Sequence, residues 1–408
     1  MSVWWARPGL DVREGRLRVA GRDAEALARE HDTPLYVYDL VRMEEQARAL
    51  QDSHASAGLR GPVRLALKAQ RAPEALAVLR GLGPPGDPRS VGIDVCSPRE
   101  LLHALDHGWR PEEISYTGTN VSERDLDAVL AHPVHVNVDL LSQLERLGRR
   151  APGRAIGLRV NPRAGAGWDG TQTYSGEKAT KFGIYQEDLD EAIRVARRHD
   201  LFIDTVHFHV GRGFLTEALP GFERAVVAGA GMARRLIEAG MPVQEVNVGG
   251  GLGVPQRAGD RPLDLDALAA ILARHLGPLD VAVACEPGDF LTKECGHLLA
   301  EVVTVEDRAG ATFVGLDAGF TVMPEHFIYG APVEVVLCRA AGEAGTRTVT
   351  VAGNINEGDD LFAEDVALPP VEEGDVVAML NVGSYNAVMA MEHCLRPPAG
   401  TVYFTDRA

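Results

Sequence analysis

The chain has 408 residues and a formal net charge of −17, a balance that argues against nucleic acid or anionic membranes as default partners. A hydrophobic fraction of 45% with 6% aromatics fits a cytosolic α/β protein of two or three domains, and no apolar run approaches the roughly 20 residues that span a bilayer. Five cysteines without a framework spacing read as reduced thiols in a cytoplasm, and the start MSVWWARPGL lacks the basic residues and long apolar core of a secretory signal. In chain order, residues 1–34 carry one short strand pattern, GRLRVAG. Strand-like runs then follow at 62–67, 91–95, 113–117, 134–138, 155–160, 203–209, 244–248 and 281–285. Several are nearly continuous apolar runs, as expected of parallel strands buried on both faces. Between them lie helical patterns such as PRELLHALDHG (98–108), EDLDEAIRVARRHD (187–200) and ERAVVAGAGMARRLIEAG (223–240).

Eight alternations predict a (β/α)8 TIM-type barrel. After residue 290 runs such as LLAEVVTVED, TFVGLDAG, PVEVVLCRA and VVAMLNVG follow one another with few helical stretches, which predicts a mainly antiparallel β-domain. The predicted division is 35–285 for the barrel, with 1–34 and 286–408 forming the β-domain. The segment SGEKATK (175–181) reads as a mobile or functional loop. No Cys-x-x-Cys or His-Glu-x-x-His pattern offers a zinc site, so no metal is expected.

The strands end repeatedly in residues that can do chemistry. Lys68 follows the first run, where apolar neighbours favour a neutral, nucleophilic amine; the alternative is a lysine reaching to solvent from a strand end. His207 and His209 share one face of the sixth run. Half a metal site, a hydrogen-bonded core histidine, or a ring packed flat on a pyridine are the readings open to them. Gly249, Gly250 and Gly251 follow the seventh run, where backbone N–H groups can cradle a phosphate or form a tight turn. Glu286 follows the eighth, as a helix cap, a surface acid, or a carboxylate that keeps a pyridine nitrogen protonated. A lysine, a histidine, a glycine-rich loop and a carboxylate on one rim are the groups of a pyridoxal 5′-phosphate site.

In this order the segments YVYDL, ALKAQ, GIDVCSPREL, LRVNP, TKFGI, HFHVG, NVGGGLG, EPGD, LDAGF, GNINEGDDLFAED and VGSYNAVMAMEHCLRPP resemble the fold-type III pyridoxal phosphate decarboxylases, an alanine racemase-like barrel group. The texture is closest to the diaminopimelate decarboxylases. The resemblance spans residues 35–400. It implies that Lys68 attaches the cofactor, His209 stacks on its ring, Glu286 pairs with the ring nitrogen, and Gly249–Gly251 with Tyr385 hold the phosphate. It also implies a homodimer in which the Asn356–Asp360 loop of one subunit completes the other's site, with Glu357 and Asp360 facing the amino-acid substrate.

The chain departs from the family at four places. Family members read Cys-Glu-Ser-x-Asp where this chain reads Asn356-Glu357-Gly358-Asp359-Asp360, so the acid that protonates the α-carbon is replaced by an amide, which has no proton to give at neutral pH. Cys394 is the nearest thiol by motif, and is expected to be an ordinary packed cysteine. Asp289 and Met323 stand where the family carries arginines for a distal carboxylate, a fork that is hard to replace. Arg212 stands in place of a small serine; Arg212 or Lys293 would supply a displaced anion site or pair with Asp289. The expectation is an amino-acid decarboxylase whose substrate is not diaminopimelate. The alternatives are a racemase, a decarboxylation-dependent transaminase, or a non-catalytic relative that binds the cofactor.

Overall fold

The computed structural model describes residues 3–167 and 174–408, and the chain divides into two compact units. Gln46–Val254 with Arg261–Phe290 form one; Met1–Glu45, Pro255–Asp260 and Leu291–Ala408 form the other. Among the described residues no helix is long and apolar enough to cross a membrane.

The first unit is the predicted barrel. Its strands are β1 (Val63–Ala66), β2 (Val91–Val95), β3 (Ile114–Thr117), β4 (His135–Val138), β5 (Ala155–Asn161), β6 (Phe202–His207), β7 (Glu245–Asn247) and β8 (Ala282–Ala284). Each pairs in parallel with the next. The ring closes where Arg64 N–H donates to the Cys285 carbonyl (2.9 Å) and Cys285 N–H donates to that of Pro62 (3.2 Å). Local chemistry explains the crossover helices. Pro98–Asp106 begins with proline in its first turn, and the Ser97 hydroxyl accepts from Glu100 N–H (3.2 Å) while the Glu100 carboxylate accepts from Cys96 N–H (2.7 Å). Leu219–Glu238 buries Phe222, Ala225, Val226, Gly229, Ala233 and Leu236, the stripe a helix presents to a sheet.

The barrel wall also carries buried polar residues on six strands: Asp94, Ser115, Asn137, Arg159, His207 and Asn247. A barrel stabilised only by packing would fill such positions with branched apolar side chains.

The second unit is built on the strand Gly296–Arg308. Its first half pairs antiparallel with Leu35–Asp39 and Val376–Leu380, and its second half with Ala311–Leu316. Arg347–Ala352 lies parallel to Ala311–Leu316 and antiparallel to Leu361–Leu368. Trp5, Leu10, Leu17, Val19 and Leu27 share a core with Leu299, Val336, Val376 and Leu380, so the N-terminal segment packs on this sheet. The boundary differs from the predicted one. Leu35–Asp39 is predicted to open the barrel domain, yet it pairs with Gly296–Leu299 on one edge and with Gly400–Phe404 on the other. An apolar five-residue run carries no mark of which sheet will receive it, because both candidate sheets bury their strands. Residues 286–290, expected in the β-domain, belong to the barrel unit.

Candidate active site

Lys68 occupies the turn after β1. Leu67 N–H donates to the Asp94 carbonyl (2.9 Å) and Ala69 N–H to that of Ala66 (2.9 Å). Leu67 and Ala69 are fully buried while Lys68 is exposed, so the turn presents one side chain and pins its neighbours. Its ammonium acts on Asp94 and His209. Burial, and then the Glu286 charge, push the Asp94 carboxyl well above the usual range, while Lys68 pulls it back.

Glu286, just past β8, is buried and receives three side-chain donors. His207 Nε2 lies 2.9 Å from Oε2, Asn247 Nδ2 2.6 Å from Oε1, and Ser115 Oγ 3.5 Å from Oε1. Ser115 on β3 and His207 on β6 are not sheet neighbours of β8, so these bonds cross the barrel interior. Ser115 is held in turn by the Asn137 amide, which donates to it and to the Thr117 hydroxyl, both at 2.9 Å. Burial alone would raise the Glu286 carboxyl; the His207 imidazole, Arg64 and the Asn247 amide outweigh it and hold the group down to about 2. Glu286 is therefore a buried carboxylate that keeps its charge.

His209 is half-buried at the end of the β6 segment. Burial and then the Lys68 and Arg159 charges push its imidazole well below the ordinary value. Its Nδ1 accepts from Gly250 N–H at 3.2 Å, which places the proton of the neutral ring on Nε2. Tyr174 meets the ring edge-on, with centroids 4.7 Å apart. Tyr174 precedes the SGEKATK segment, whose Ser175 is buried and donates to Asn161 Oδ1 (2.8 Å) and whose Thr180 hydroxyl donates to the Tyr174 carbonyl (3.1 Å). Asn161 Nδ2 also donates to the Thr180 hydroxyl (3.1 Å), so the segment is tied to β5 at both of these residues.

The glycine loop is required by close approach. Gly249 has φ +71, and a Cβ on Gly250 would lie 2.2 Å from the Glu286 carbonyl oxygen. Two of its amides are engaged by the protein itself: Gly249 N–H donates to Asn247 Oδ1 (2.9 Å) and Gly250 N–H to His209. The loop therefore couples β7 to His209 and Glu286 in addition to the phosphate role expected of Gly249–Gly251. Asp289 opens the short helix Asp289–Thr292 and is half-buried. Arg212 lies in the strand pair Gly211–Arg212 with Ala166–Gly167.

The remaining predicted residues lie in the β unit, where they form two groups. Asn356 and Glu357 are exposed on one loop, and the Glu357 carboxylate lies 3.0 Å from His393 Nε2. Arg396 donates to the Asn354 carbonyl at 2.9 Å, so the segment bearing Cys394 is tied to this loop from both sides. Cys394 is exposed, not packed as expected, because Glu392–Arg396 runs over the surface. Asp360 faces inward: one carboxylate oxygen accepts from Phe320 N–H and the other from Ile355 N–H, both at 2.8 Å. Burial outweighs these two bonds and raises its carboxyl. The second group surrounds a buried ion pair. Lys293 Nζ donates to both oxygens of Glu325 (2.5 and 2.6 Å) and to the Ser384 hydroxyl (3.3 Å), and Asn386 Nδ2 donates to Glu325 (3.1 Å). Lys293 is thus paired with Glu325. Tyr385, between Ser384 and Asn386, has a left-handed backbone with φ 60. Met323 is fully buried ahead of the helix Pro324–Tyr329.

The barrel residues fit pyridoxal phosphate. A reachable amine, a neutral imidazole face, and a buried carboxylate kept ionised by side-chain donors are what its aldehyde, ring and ring nitrogen require. Residues 40–293 match the model of the pyridoxal-dependent decarboxylases, pyridoxal binding domain. The chain belongs to the pyridoxal-dependent decarboxylase family. A diaminopimelate decarboxylase of Methanothermobacter thermautotrophicus is 35% identical to it over 402 residues, covering 96% of this chain and 91% of that protein. One from Escherichia coli K12 is 32% identical over 402 residues, covering 93% and 90%. The crystal structure of diaminopimelate decarboxylase from Helicobacter pylori, complexed with L-lysine, superposes with a TM-score of 0.82 at 27% identity and 94% coverage of each chain. This decarboxylase uses pyridoxal phosphate and acts on an amino acid. The sequence pattern brings out Lys68, His209, Glu286 and the glycine loop. It misses Asp94, Ser115, Asn247 and Tyr174, and leaves the role of His207 open. The polar residues inside strand runs otherwise apolar are the available signal.

Proposed function

We propose that this decarboxylase acts on an amino acid whose distal end carries a cation, hydroxyl or amide and no carboxylate. The observation that carries the reading is Asp289, an acid on the helix directly after Glu286, where the resemblance calls for an arginine. Met323, at the second expected arginine, is buried and apolar, and the Lys293 ammonium is already matched by Glu325. A distal carboxylate would meet repulsion at Asp289 and no Arg fork. The names of the relatives point the other way, toward diaminopimelate, and the two readings make opposite predictions.

Bound pyridoxal phosphate supplies an electron sink for the pair left by the departing carboxylate. Lys68 supplies the amine that attaches it, the neutral His209 ring offers a flat face, and Glu286 keeps a proton on the ring nitrogen. Asn356 has no acidic proton, so α-carbon protonation falls to another group, and a carbonyl product is a specific second outcome. A homodimer in the cytoplasm is the setting this reading carries, and sedimentation of the purified protein checks the assembly.

The test is mass spectrometry of products from the cofactor-loaded protein with meso-diaminopimelate, lysine, ornithine, arginine and glutamate. The expected result is amine formation from a substrate with a non-acidic distal end, and turnover of diaminopimelate lower by about 10- to 100-fold, the worth of a lost charge-assisted fork. Efficient conversion of diaminopimelate to lysine overturns the reading. Run in deuterated water, the same assay distinguishes an α-deuterated amine from a carbonyl product.

A further inference from the structure

His207 is the side chain whose role the family-level reading leaves unassigned. It is 2% exposed on β6, and its Nε2 lies 2.9 Å from Glu286 Oε2. Its other nitrogen, Nδ1, is buried and has no hydrogen-bond partner among the described residues. Among the described residues the hydrogen bonding of the ring is therefore directed at Glu286 through Nε2. Asn247 and Ser115 donate to the other carboxylate oxygen of Glu286. Arg64, which also acts on Glu286, is engaged by both oxygens of Glu245 at 2.7 and 3.0 Å.

We propose that His207 is a positioning residue: its hydrogen bond fixes the Glu286 carboxylate in the orientation that a pyridinium nitrogen requires. An apolar residue would leave Oε2 without its donor. The inference rests on the assignment of Glu286 to the ring nitrogen, and its test separates the two.

The experiment compares pyridoxal 5′-phosphate with its 1-deaza analogue, in which carbon replaces the ring nitrogen. Both are titrated by absorbance into the full-length protein after cofactor removal. Wild type prefers the natural cofactor. His207→Phe is expected to cut that preference about tenfold, the worth of one hydrogen bond to a charged group, while affinity for the analogue stays within about twofold. His207→Gln, whose amide N–H can replace the donor, is expected to restore most of the preference. Should the Phe variant fail to fold, His207→Asn, too short to reach Glu286, carries the same comparison. An equal loss for both ligands means that His207 only packs the barrel, and an unchanged preference means that it does not act through Glu286; either overturns the proposal. If Glu286→Gln also leaves the preference unchanged, the assignment of Glu286 falls with it. If only that variant loses it, the assignment stands and the role of His207 is refuted.

Discussion

Glu286 in the barrel and Asp360 in the β unit are both more than nine-tenths buried, and their carboxyls shift in opposite directions. Burial by itself raises a carboxyl, so the difference lies in the partners. Glu286 receives an imidazole, an amide and a hydroxyl from three strands and feels Arg64. Asp360 receives two backbone amides, those of Ile355 in its own loop and of Phe320, and no cationic side chain appears among the causes of its shift. The first arrangement holds a buried carboxylate charged; the second engages a buried carboxylate with two backbone amides. His54 is the limiting case of the same series. It is buried, its Nε2 has no partner among the described residues, and burial alone drives its imidazole down to about 4.

The largest expected effect tests the barrel side of this comparison. Lys68→Ala should abolish the visible absorbance of the attached cofactor, and a persistent band would remove Lys68 from the site. Next, Glu286→Gln should lower kcat by about 100-fold while preserving the fold, the scale seen when a preorganised electrostatic group is removed. An activity within a few-fold of wild type would show that its charge is not used. Asp360→Asn sharpens the contrast: by denaturant titration it should lose about 1–3 kcal/mol as one backbone donor loses its acceptor, with the absorbance of the cofactor unchanged. A lost absorbance band with intact stability would instead give Asp360 the ligand-facing role expected from the resemblance.

The smallest effect concerns His54. Its folded-state value of about 4 lies below the ordinary 6.5, so the unfolded chain takes up the proton first as pH falls. Stability is fully present above pH 6.5 and declines between 6.5 and 4 by up to about 1.4 kcal/mol per pH unit from this one group. His54→Phe should flatten that part of the profile in melting experiments on the cofactor-free protein. An unchanged slope would mean that His54 is already solvated or protonated in the native state.

The barrel was legible because its rules are local. Each strand had to be short, apolar and followed by a helix, and all eight predicted runs match their strands to within two residues at either end. The same rules failed at Leu35–Asp39, whose apolar run fits either sheet, and at Lys293, whose partner Glu325 lies 32 residues away. Chain order likewise revealed a rim bearing Lys68, His209, Glu286 and the glycine loop, because parallel strands deliver their ends to one face.

What the sequence determined by itself was therefore the barrel and the identity of the groups on its rim, since both follow from periodicity along the chain. What only the tertiary structure decided was the state of those groups. Whether Glu286 keeps its charge depends on Ser115, Asn247 and His207, which reach it from strands far apart in sequence. Electrostatic fields act through space, and a burial cost can be offset only by the donors that folding brings within hydrogen-bond distance.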